Sequence, residues 1–365
     1  MVARSLLVLS LALGFAAHTR AGNLTASQHG VTLLVTGKGG GAIATLSGVA
    51  TGEVDPTAGL VRIIPLTDTT VNGGASDVTF TGVQNVSLKL DNAPNTVVFE
   101  GLILSGDLKA KGGNDTDSLQ IEGGSFGDDV TLDGGPGDNT LDCGGAEIGG
   151  DMSFKGSGPA NTNLEITCSA EGNLKVALGG GANVVVVDSG AFAQAASIKT
   201  GIGFDQVTFN SSSFDHDVKI STGRGASAVI FNGTQIEGSL SITASTGADS
   251  VKFNPIVVGE NVKINMGDGA NIMLATDLDI SLIGESLAVT TGGGADKFTM
   301  HDVQVGESAT LKAGDGANQL TVDQFTVGEN LTISAGKGDD HLTATSNSVG
   351  GLTKINLGGG NNTGP

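Results

Sequence analysis

One spacing of 22 residues constrains this chain more than any other feature. A turn of the form Gly-x-Gly-x-Asp/Asn closes on Asn95, Asp117, Asn139, Asn161, Asn183, Asp205, Ser227, Asp249, Asn271, Asp296, Asn318, Asp340 and Asn362. The step is 22 residues except between Asn271 and Asp296, where it is 25 and the extra residues fall around Asp277–Ile283. A period in this range is the mark of a solenoid. Between the turns, short runs alternate apolar and polar residues, as in Asn330-Leu331-Thr332-Ile333-Ser334. That alternation is the strand signal, and the runs leave no room for helices.

Three apolar columns keep the register. One runs through Phe126, Ile148, Ala170, Phe192, Phe214 and Ile236 to Val349; a second from Val176 to Ile355; a third from Val185 to Leu342. The expected fold is therefore all-β, a parallel β-helix or β-solenoid with about 22 residues per coil. Right-handed coiling is the default for parallel crossovers. A lone coil buries about five apolar side chains worth roughly 2 kcal/mol each. Fixing its backbone costs about 1–2 kcal/mol per residue, so only stacking makes it stable. Phe209, Phe231 and Phe253 are expected to stack across three coils, with a bend that lines up Asn210, Asn232 and Asn254 as an internal ladder.

The chain divides into three parts. Residues 1–21 read as a secretory signal peptide, with Arg4 before an apolar core over Ser5–Ala17 and small residues after it. Residues 22–83 keep the period poorly and read as an N-terminal cap passing into the first coils; residues 84–365 form the regular solenoid. A net charge of −20 argues against nucleic acid and anionic membranes as partners, and no later segment is apolar and long enough to span a bilayer. Export places the chain outside the cytoplasmic membrane, as an extracellular or cell-surface component. It also permits a Cys143–Cys168 disulfide. The lateral offset between the two positions nevertheless favours two buried thiols.

The turns Gly201-Ile202-Gly203-Phe204-Asp205, Gly292-Gly293-Gly294-Ala295-Asp296 and Gly336-Lys337-Gly338-Asp339-Asp340 resemble the loops of RTX repeats, which form calcium-bound β-rolls. The resemblance covers the turns only, and it implies calcium at Asp205, Asp249, Asp296 and Asp340. RTX repeats place two such loops in each coil, whereas here there is one per 22 residues. No two consecutive coils carry Asp at the marker, and calcium sites usually need more than one carboxylate. This alternation reads as a structural ladder that keeps like charges apart. Glu260, Glu285, Glu307 and Glu329 follow Gly in four consecutive coils and form a second candidate cation column, or else splay into solvent. Lys175, Ser197, Lys219, Ser241 and Lys263 read as a soluble face.

Enzymatic chemistry has little support. β-Helices include polysaccharide lyases and hydrolases, but there is no Trp or Tyr here. His216, His301 and His341 are scattered, and no acid pair stands out for glycoside chemistry. The expectation is a non-enzymatic scaffold that needs no cofactor. A calcium-binding extracellular protein is the alternative, and a polysaccharide-active enzyme stands third. The sequence ends with an incomplete coil, Leu352–Leu357 followed by a Gly/Asn-rich tail, so self-association through this C-terminal edge is expected.

Overall fold

Each coil is three short strands separated by three bends, and residue alternation decides which side of each strand is buried. The computed structural model describes residues 22–49, 56–276 and 281–364. The expected signal peptide, part of the insertion around Asp277–Ile283 and Pro365 lie outside the described residues. Among the described residues every regular element is a strand. A typical coil has Leu331–Ser334 on a first face, His341–Thr345 on a second and Ser348–Val349 on a third. The chain then returns to the first face at Thr353–Asn356, where Ile333 pairs with Ile355 in parallel. The fold is an all-β solenoid of stacked parallel strands with about 22 residues per coil.

First-face strands join in one sixteen-stranded sheet. Antiparallel pairing is confined to the N-terminal end. There Asn23–His29 pairs with Thr32–Lys38, Ile43–Ser47 with Val61–Leu66, and the latter with Val78–Phe80. Thr32–Lys38 then passes into the parallel stack through Asn85–Lys89. One continuous apolar core runs from Leu24 to Leu342.

All three apolar columns point inward and keep register. Phe192 stacks on Phe214, with ring centroids 5.2 Å apart. Phe209 stacks on Phe231 at 4.8 Å, while Phe231 meets Phe253 edge-on at 5.6 Å. Val176 and Ile198 pair on the first face, Val185 and Val207 on the second. The expected bend after Asn210 and Asn232 is present: Ser211 and Gly233 have φ of 47° and 63°. The Asn232 amide donates to Asn210 Oδ1 at 2.7 Å, and the Asn254 amide lies 3.0 Å from that of Asn232. This ladder is half-buried at the bend, because Phe209, Phe231 and Phe253 already take the inward side.

Glycine is required where adjacent coils touch. A Cβ on Gly314 would lie 1.6 Å from the Gly292 carbonyl oxygen, and Gly316 adds a φ of 130°.

Two expectations are corrected. The ladder residue between Asn139 and Asn183 is Thr162, which pairs with Asn139; Asn161 is exposed. The turn before Thr162, Gly-Ser-Gly-Pro-Ala-Asn over 156–161, holds one residue more than its neighbours, and the next bend one fewer. The two changes cancel, so the period conceals them. The cysteines are bonded and are not free thiols: Cys143 and Cys168 have Cα atoms 5.7 Å apart. The shortened bend carries Cys168 across the corner from Cys143, which removes the lateral offset.

Candidate functional site

The turns are held by a side-chain ladder. Wherever the next marker is Asp or Asn, a marker's backbone N–H donates to its Oδ1; Asn139, which faces Thr162, donates instead to the Asn161 carbonyl. Asn95 donates to Asp117 at 3.0 Å, Asp117 to Asn139 at 3.0 Å and Thr162 to Asn183 at 3.1 Å. Towards the other end, Ser227 donates to Asp249 at 2.9 Å, Asn271 to Asp296 at 2.9 Å and Asn318 to Asp340 at 3.0 Å. All the markers from Asn95 to Asp340 are buried. Amide and acid then do different things with their second atom. Asn271 Nδ2 donates to the turn carbonyls of Gly267 and Gly269, and Asn318 Nδ2 to those of Gly314 and Gly316. An amide thus ties its own turn closed and accepts from the previous coil.

A carboxylate cannot donate, so its Oδ2 needs another partner. Asp117 Oδ2 accepts from the Gly113 N–H at 2.7 Å, and Asp296 Oδ2 from the Thr291 hydroxyl at 2.7 Å. Asp205, Asp249 and Asp340 have a buried Oδ2 with no partner in the protein. Thr200 stands five residues before Asp205, as Thr291 does before Asp296, and its own hydroxyl is also unpartnered. Asp249 and Asp340 have Ala244 and Ala335 in that place. Asp117 has Gly112 there and uses the Gly113 N–H instead, so Asp249 and Asp340 are the two markers whose unpartnered acid oxygen has no hydroxyl in that register. Burial pushes the Asp249 carboxyl above its ordinary range, and only partly does the Ser227 N–H oppose it. Asp117 is raised too, burial outweighing its hydrogen bonds to Asn95 and Gly113.

The Glu column is built differently. Glu260, Glu285, Glu307 and Glu329 align in consecutive coils through backbone bonds such as Glu307 N–H to Glu285 O. Each accepts from the coil before it: Ser239 to Glu260 at 2.8 Å, Ser286 to Glu307 at 3.1 Å, Ser308 to Glu329 at 3.1 Å, and Asn261 to Glu285. A hydroxyl or amide therefore separates successive charges. Among the described residues, no three His, Cys, Asp or Glu side chains converge on a common metal position. The eight candidate acids thus stand in two separate columns. Asp215, His216 and Asp217 are exposed.

Three features lie outside the candidates drawn from the sequence. Glu122, Asp142 and Glu165 gather on the outer side of the second face, where burial, then Glu165, then Glu122 push Asp142 up to about 6. His301 sits between Asp323 at 3.1 Å and Asp302 at 3.3 Å. Asp323 is held below the ordinary carboxylate range, first by the Thr345 hydroxyl and then by His301. The third is the lysine content of the first face. Reading the outward columns at the same period as the inward ones aligns Asp142 with Glu165 and His301 with Asp323 on the second face, and the lysines with one another on the first.

No helix among the described residues is long and apolar enough to cross a membrane. No family model, curated protein or solved structure matches the chain.

Proposed function

We propose that this chain is an exported, non-enzymatic β-solenoid scaffold with a structural, surface-associated or adhesive role. The observation that carries the proposal is the marker ladder. Protein atoms close the turns and tie each coil to the next. A rod of this kind keeps its shape without a bound cofactor and offers long flat faces. Its length is roughly 60 Å at the coil spacing of about 4.8 Å. The apo protein is expected to show a β-rich circular dichroism spectrum and a cooperative melt. An apo chain that folds only on adding calcium would overturn this reading. Fractionation is expected to find the chain outside the cytoplasmic membrane without residues 1–21. Depolymerisation of a polysaccharide by the purified protein would replace the scaffold with an enzyme.

A calcium-responsive extracellular protein is the second reading, supported by the unpartnered Oδ2 atoms of Asp249 and Asp340. It requires calcium to raise the melting temperature, and Asp249→Asn with Asp340→Asn to abolish that rise.

A further inference from the structure

The net charge of −20 conceals a strongly basic face. Along the outer side of the first face, one column carries Lys89, Lys111, Lys155, Lys199 and Lys312. The column beside it carries Lys109, Lys175, Lys219, Lys263 and Lys354. Asp133 is the single acid in these two columns; Ser, Thr, Asn and Ala fill the other places. Lys111 pairs with Asp133 at 3.2 Å, and Lys109 and Lys175 reach the rim acids Asp107 and Asp151. Among the described residues the other seven lysines of the face have no ion pair. From Lys155 through Lys175 and Lys199 to Lys219 there is one lysine in every coil, alternating between the columns. Positive charge therefore advances about 4.8 Å per step along the rod. At the N-terminal end the face hollows into two adjoining shallow depressions lined by Lys89, Lys109, Lys111 and Lys155.

We propose that this lysine face binds a linear anionic polysaccharide, carrying uronate or sulfate groups, laid along the rod axis. The proposal deepens the scaffold reading by naming what the scaffold holds. An extended β-linked pyranose advances by about one coil spacing, so successive acidic sugars meet successive lysines. The Ser and Thr hydroxyls between them suit sugar hydroxyls. The strip is narrow and is bordered by Asp107, Asp129 and Asp151, which repel a broad polyanion but spare a thin one. A duplex is broad, and these columns have neither Arg nor aromatic side chains for stacking on single strands. Beyond Leu34, which pairs with Ser87 at the N-terminal end, they also lack the large apolar side chains that enter a bilayer.

The test uses the mature protein on immobilised β-linked polymannuronate and chondroitin sulfate, with neutral hydroxyethylcellulose, duplex DNA and anionic vesicles beside them. Serine already alternates with lysine in these columns, so Lys→Ser substitutions suit the fold. Replacing Lys89, Lys111, Lys155, Lys175, Lys199 and Lys219 together is expected to weaken binding by about tenfold or more at low salt and to flatten its salt dependence. Replacing Lys252, Lys297 and Lys337, which lie off this face, is expected to leave it unchanged. An unaltered melt in both variants separates lost binding from lost folding. The inference falls if neither acidic glycan binds at low salt, or if the six-lysine variant binds as wild type does. Tighter binding to DNA or vesicles than to glycan overturns the choice of partner. An exported, cofactor-free rod that binds none of these probes would leave the scaffold reading intact and sink this one.

Discussion

Asp249 shows how much one atom matters inside the ladder. Its Oδ1 does what an amide oxygen does in neighbouring coils, while its Oδ2 is buried without a partner. Burial raises its pKa, so the native state takes up a proton more readily than the unfolded chain. The stability this group supplies is therefore full below the unfolded value of about 4 and is lost as pH rises through the higher folded value. Asp249→Asn should stabilise the protein at neutral pH by about 1 kcal/mol, since an amide there can donate to the turn as Asn271 does. The gain should shrink as pH falls past the carboxylate range. Urea melts at neutral and acidic pH test this; an Asn variant weaker than wild type at neutral pH would mean that the carboxylate has found a partner of its own. Phe231 is fully buried between Phe209 and Phe253, and Phe231→Ala is expected to cost about 3–5 kcal/mol. A loss below 1 kcal/mol, on the order of a surface substitution, would contradict its place in the core.

Strands and bends differ in how legible they were. Alternation and period are properties of the sequence, so the inward columns could be read directly. The bend after the second face was less visible. Its left-handed residue is Gly at 101, 123, 145 and 233, but Ser189, Ser211, Asp302, Gln324 and Ser346 elsewhere, with no shared chemistry beyond the backbone angle. Thr162 was hidden by two compensating length changes, and Cys168 by the bend that follows it. The marker ladder was legible as a column, but its donor and acceptor pattern was not, because Asp and Asn differ there only in their second atom. On the second face, Asp142 is pushed to about 6 by burial and by Glu165 and Glu122. Here too the sign is fixed: stability from this group is greatest at low pH and is lost as pH rises through about 6. Glu165→Gln should lower the Asp142 pKa and stabilise the protein at neutral pH by about 1 kcal/mol or less. Carboxyl titration followed by NMR would decide it, and an unmoved Asp142 would remove Glu165 as a cause.

The whole molecule behaves as a one-dimensional stack in which each coil answers mainly to its two neighbours. Removing residues 206–249 deletes two complete coils and brings Asn271 next to Asp205, so the alternation of charge and amide is preserved. Removing residues 206–227 deletes one complete coil and brings Asp249 next to Asp205. The apolar columns stay in register in both deletions. The shorter deletion, however, sets two buried carboxylates one coil apart, where repulsion is about 1 kcal/mol in water and several-fold larger in a buried site. The two-coil deletion should therefore fold cooperatively, while the one-coil deletion, despite its longer stack, should melt lower at neutral pH. Acid should close the gap by protonating one carboxyl of the pair. Asp249→Asn should stabilise the one-coil deletion at neutral pH by more than the roughly 1 kcal/mol it gives the intact chain, and that excess assigns the defect to charge and not to the new junction. Thermal melts of the two deletions across pH test this, and a one-coil deletion as stable as the two-coil one at neutral pH would show that the alternation along the ladder is not electrostatic in origin.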